Sequence, residues 1–168
     1  MPVVPMPVVS EPPPTEPPAR SGRADAALRV AGGVVRVAGG VVAAWAGGLV
    51  AVLDLIFATW AWEVVKGQSG GLAEALVGTA LTVGGIGAVV VLAILVTSFA
   101  HTTVANRWAV ALPALPWFVV VVAGAVRTAE GDLALAGDNV LGLGMIVAGA
   151  VTFAVLGFRQ VVVPPAVD

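Results

Sequence analysis

Four long apolar stretches separated by short polar ones organise this chain. The first runs from Val37 to Trp62 and is interrupted only by Asp54, and the second, Ala75 to Ala100, contains no charged residue. The third, Trp108 to Val126, holds Pro113 and Pro116, and the fourth runs from Val140 to Phe158. Each has the roughly 20 residues that a helix needs to cross a hydrocarbon core of about 30 Å. No stretch alternates polar and apolar positions, and an open sheet cannot satisfy its backbone in lipid, so helices are the predicted element. The connections Glu63 to Glu74, His101 to Arg107 and Arg127 to Asn139 are short, which makes successive helices antiparallel neighbours. The expected fold is all-α: an integral membrane bundle over residues 37–160, with four transmembrane helices at 37–62, 75–100, 108–126 and 140–158.

Composition agrees with the pattern. The chain is 59% hydrophobic and 11% charged, whereas ordinary soluble domains carry about 25% charged residues. A net charge of −2 and scattered basic residues give no footprint for nucleic acid. Cysteine is absent, which excludes disulfides, thiolate metal sites and thiol catalysis together. The expected partners are the lipid bilayer and either a second copy of the chain or another membrane protein.

Charge orients the helices. Arg20, Arg23, Arg29, Arg36, Arg107 and Arg159 fall on one side of the four crossings, and only Lys66 and Arg127 on the other. The positive-inside rule then places both termini of a multi-pass protein in the cytoplasm, at the cytoplasmic membrane. Trp60 and Trp62 near the outer end of the first helix, and Trp108 at the inner end of the third, fit interfacial positions in the same frame. Residues 1–23 are rich in proline and poor in core-forming side chains, so a disordered cytoplasmic tail is expected, either a spacer or a docking segment for a proline-binding partner. It lacks the basic start of a secretory signal, and no cleavage is expected. Residues 161–168 read as a short carboxy-terminal tail.

The stretch Arg29 to Gly48, RVAGGVVRVAGGVVAAWAGG, contains the block RVAGGVV twice. It has neither the spacing nor the strand context of a phosphate loop, and two heptads do not make a repeat architecture. On a helix, Gly39, Ala43 and Gly47 form one ridge of small residues and Gly40, Ala44 and Gly48 a second, which lets backbones approach closely. Such ridges serve close packing inside one bundle or a seam between copies. Gly84 with Ala88 and Gly144 with Ala148 repeat the pattern in the second and fourth helices. Arg29 and Arg36, seven residues apart, share a face of a basic juxtamembrane helix at 24–36. There each cation facing an anionic leaflet contributes about 1 kcal/mol; the alternative is a positive-inside stop without lipid preference.

Asp54 is the candidate for chemistry inside the membrane. Nine residues before Glu63, it lies roughly 13 Å below the outer surface at 1.5 Å per residue, where a carboxylate costs about 2.5 to 3.5 kcal/mol. Thr79 and Thr82 on the second helix reach comparable depth and are its expected hydrogen-bond partners, with Arg127 a further candidate. Such a residue either couples a proton or cation to transport or ties two helices together. The remaining signals are weaker. Ser98 and His101 at i, i+3 lack an orienting carboxylate, so no catalytic site is expected. The two prolines in LPALPW predict a kink in the third helix. Glu130, Asp132 and Asp138 lack the ligand spacing of a calcium loop, and neither metal nor cofactor is expected.

The LPALPW-bearing third helix, the loop RTAEGDLALAGDN and the glycine-rich last helix together resemble a group of small four-helix membrane proteins from high-GC Gram-positive bacteria, classed as a domain of unknown function. The likeness covers roughly residues 37–160 and implies a fold and a lineage, with no site residue carried over. Two functions from different classes follow from the residues. The first is a non-enzymatic structural or assembly partner. The alternative is a small proton- or cation-coupled transporter using Asp54.

Overall fold

The computed structural model describes residues 22–68, 70–125 and 139–162. Among them are four helices, α1 (Gly22–Lys66), α2 (Leu72–Val104), α3 (Ala111–Ala125) and α4 (Val140–Val162), and no strand. The fold is an all-α bundle. The expected proline-rich tail, the loop bearing Arg127, Glu130, Asp132 and Asp138, and residues 163–168 lie outside the described residues.

α1 is the central element and packs chiefly against α3 and α2, while α4 sits chiefly on α2. The pairing register is legible from close approaches. Gly39 faces Thr103, Gly85 faces Phe57 and Gly78 faces Val65, so α1 and α2 are antiparallel. Gly47 meets Pro113 and Gly124 meets Leu55, so α1 and α3 run parallel.

The helices depart from their expected bounds for local reasons. No break separates a juxtamembrane segment from the first span: α1 is continuous for 45 residues, about 67 Å at 1.5 Å per residue. α2 continues to Val104 because Ala105 ends it in the left-handed conformation, φ 50°, its N–H donating to the His101 carbonyl. α3 begins at Ala111 instead of Trp108, since Asn106 starts a turn in which its side-chain oxygen accepts from the Trp108 N–H at 3.2 Å and its carbonyl from the Ala109 N–H at 3.0 Å. Gly70 and Gly71, both at positive φ, make the turn between α1 and α2.

The core inverts the arrangement of a water-soluble bundle. Ala43, Ala51, Ala58, Ala61, Ala93 and Ala100 are buried, while Leu49, Ile56, Leu95, Leu115 and Val119 are exposed. Small residues inside allow helices to pack by close backbone approach, and large aliphatic residues outside match a hydrocarbon solvent. α1, α2 and α4 are each long and apolar enough to cross a bilayer; α3 is shorter over its described length. The chain is a helical membrane protein.

The small-residue ridge on α1 has its partner within the same chain. Ala43 is fully buried against Ala100 and Ala109. A Cβ at Gly39 would lie 2.6 Å from the Thr103 Cβ, and one at Gly47 would overlap the backbone of Pro113. On the second ridge, Gly40 and Gly48 keep ordinary distances to Leu112 and the Pro116 ring, 3.5 and 3.7 Å, and Ala44 is half-buried. Both prolines of α3 therefore rest on the glycines of α1. In α2 the close contact is made by Gly85, one residue on from the expected position, because Gly84 and Ala88 face outward. In α4 a close approach is made at Gly149, whereas Gly144 meets Ile86 at an ordinary 3.8 Å.

Candidate functional site at the bundle centre

α1 carries Val50, Ala51, Asp54, Ala58 and Ala61 on its buried face, at the spacing of one helical stripe. Asp54 thus points into the bundle, and the described side chains that line the small cavity beside it are apolar except one. That exception is Trp117 of α3, whose indole Nε1 donates to Asp54 Oδ2 at 3.0 Å. Trp117 is 1% exposed. Its ring stands edge-on to Phe118, centroids 5.0 Å apart, and tilted against Phe153 at 5.5 Å. The far edge of the indole lies over Gly149 of α4, where a side chain would collide with it. Asp54 is held in place by a tryptophan that three helices clamp.

One turn along α1, Asn139 supplies a second polar link. Its Oδ1 accepts from the Gly142 N–H at 2.7 Å, capping the start of α4, and its Nδ2 donates to the Ala58 carbonyl at 3.1 Å. An N-cap that also binds a neighbouring helix fixes both the start of α4 and its height along α1. Between the two links a small cavity of about 10 Å³ is lined by Asp54, Ala58, Trp117, Gly142 and Met145, among others. On its other side Asp54 also lines a groove of about 570 Å³ between α1 and α2.

The expected partners of Asp54 are elsewhere. Thr79 is exposed, and the Thr82 hydroxyl donates to the Gly78 carbonyl of its own helix at 2.7 Å. Asp54 and these threonines lie at different depths because Glu63 and Glu74 are not level. Val65 packs on Gly78 and Phe57 on Gly85, which puts Glu74 about 8 Å further out than Glu63 at 1.5 Å per residue. Asp54 is therefore level with the neighbourhood of Val89, two turns past Thr82. Arg127 lies outside the described residues. Among those described, no basic side chain lies within ion-pair distance of Asp54; Lys66 pairs with Glu63 at 2.7 Å.

Arg29 and Arg36 are exposed on the part of α1 that precedes the bundle, and the Arg29 Nε donates to the Asp25 carbonyl at 3.4 Å. Trp117 and Asn139 escaped the sequence reading. The usable signals were a tryptophan in mid-span, where its N–H needs a buried acceptor, and an Asn directly before an apolar helix, the usual N-cap position. Comparison with family models, curated proteins and solved structures finds no match to this chain.

Proposed function

We propose that the chain is a non-enzymatic, multi-pass protein of the cytoplasmic membrane, both termini cytoplasmic, that acts as an assembly partner through the beginning of α1. The observation that carries this is the unpartnered first part of that helix. Every residue from Ala26 to Ala38 is exposed, and added side chains at Gly32 and Gly33 would meet nothing within 4 Å. The bundle begins only at Gly39. At 1.5 Å per residue the preceding part of α1 forms an arm of about 25 Å, on the side to which the basic residues assign the cytoplasm.

The arm has two faces. Leu28, Ala31, Val35 and Ala38 recur at three- and four-residue spacing, the pattern by which a helix seats against a partner helix. Asp25, Arg29 and Arg36 lie along one flank of that stripe. Arg36 is about 5 Å from the start of the bundle at helical rise, within the Debye length of about 8 Å at physiological salt, so it is the arginine best placed to attract an anionic leaflet. Within the bundle, the Asp54–Trp117 and Asn139–Ala58 bonds cross-link α1 to α3 and to the start of α4.

A photo-crosslinking residue at Val35, activated in native membranes, tests this role. The expected result is a discrete protein adduct, either a dimer of this chain or one heterologous partner, that is absent when the same residue is placed at Ile56 on the bundle exterior. Only diffuse lipid adducts at both positions would refute it.

A further inference from the structure

We infer that the groove between α1 and α2 binds a lipophilic monocation, with the cation seated at the Asp54 carboxylate and its apolar substituents against the groove walls. This goes beyond the assembly role and does not depend on it. The groove, about 570 Å³, has the size of a small-molecule site, which typically spans about 300 to 1,000 Å³. It exists because the outward face of α2 is cut back there: Gly84 and Ala88 are exposed one turn apart, and a Cβ at Gly84 would meet no atom within 4 Å. Leu53, Ile56, Phe57, Trp60, Leu92 and, from α4, Met145 complete the walls, and Asp54 is the one charged residue among the lining side chains.

Three features select the occupant. Asp54 has a single hydrogen-bond donor, Trp117, and no counter-ion among the described residues, so an organic cation can take the place of a proton on its carboxyl group. Phe57 and Trp60 present tilted rings with centroids 5.7 Å apart, and aromatic faces attract weakly hydrated cations. The rest of the lining is apolar and offers no further side-chain oxygen to an inorganic ion. Calcium and magnesium take about six or more oxygen ligands, and here one carboxylate is the only side-chain oxygen. An acyl chain fits the walls but makes no polar contact with the carboxyl group, and an anion gains no attraction from it. A quaternary ammonium or phosphonium carrying apolar arms satisfies both parts of the site.

Equilibrium dialysis of radiolabelled tetraphenylphosphonium against the full-length protein in phosphatidylcholine nanodiscs tests the inference, with tetraphenylborate as an anion of the same shape. Asp54→Asn removes the charge while keeping an oxygen to accept from Trp117. Gly84→Leu fills the groove from the α2 side, away from the Asp54–Trp117 bond. Saturable binding of the cation to the native protein is expected, weakened at least tenfold by either substitution, with no saturable binding of the anion. Native protein that takes up the cation no more than empty nanodiscs do, as when lipid chains or a second copy fill the groove, overturns the inference. So does equal affinity in native and Asp54→Asn protein, or equal binding of the anion. If Asp54→Asn fails to insert or fold, judged by circular dichroism and gel filtration, Gly84→Leu decides alone: unchanged affinity in that variant overturns the proposal.

Discussion

Replacing Gly149 with Ala should loosen the centre of the bundle, although the same substitution usually strengthens a helix. An added Cβ would lie 2.5 Å from Cζ2 and 2.8 Å from Cη2 of Trp117, and 3.1 Å from Cγ1 of Val89. Neither neighbour can yield easily, because Trp117 is held by Phe118, Phe153 and its bond to Asp54. Overpacking of this kind costs about 1 to 3 kcal/mol. If the indole swings away, the Asp54 bond is lost as well, worth about 0.6 to 1.7 kcal/mol for an interhelical hydrogen bond in a membrane protein. Against this stands the gain from Gly to Ala in a helix, at most about 1 kcal/mol. The expected net loss is about 1 to 3 kcal/mol, measured by steric trapping in bicelles, together with a shift in tryptophan emission. Gly84→Ala, which enters open space, should cause no loss. Because Cζ2 and Cη2 belong to the part of the indole that Phe lacks, Trp117→Phe should relieve the clash, making the two substitutions less than additive. Equal stability of Gly149→Ala and Gly84→Ala, or strict additivity with Trp117→Phe, would refute the clamp.

Other substitutions test separate parts of the structure. Gly47→Ala should cost about 3 kcal/mol, the upper end of overpacking, because its Cβ would press on the Pro113 backbone, while Gly48→Ala, 3.7 Å from the Pro116 ring, should be nearly silent in the same unfolding assay. Asn139→Ala should lower stability by about 1 to 3 kcal/mol through loss of the α4 cap and the Ala58 link, and hydrogen exchange should rise first in the opening turn of α4. Ala105→Gly should raise stability by up to about 1 kcal/mol, since Ala105 holds a left-handed conformation at the end of α2 that only glycine adopts without strain.

The fold was legible in the sequence because lipid leaves few choices: apolar runs of this length become helices, and the four runs became α1 to α4. Their ends were less legible, since the cap at Ala105 and the Asn106 turn depend on individual residues that hydropathy does not weigh. Asp54 stood out as a charge within an apolar run, but its partner did not. Helical rise gives height along the bundle and says nothing of which neighbour a side chain faces, and the height itself was misjudged because α1 and α2 end at different levels. The same limit explains the glycines. The spacing marks Gly39 and Gly47 as packing residues, yet Gly84 and Gly144 share that spacing without sharing a close contact, because only the packed structure decides which stripe of α2 and α4 turns inward.

In the proposed orientation, a membrane-spanning bundle holds the first part of α1 and the α2–α3 turn on the cytoplasmic face. The chain contains no cysteine, so single cysteines can report side directly. The most direct measurement is labelling by a membrane-impermeant maleimide in intact cells and in inverted vesicles, with cysteine placed in turn at Leu28, Val52, Gly70 and Asn106. The account predicts labelling of positions 28 and 106 only in inverted vesicles, of position 70 only in intact cells, and of position 52 in neither. Labelling of positions 28, 70 and 106 from the same side would contradict it.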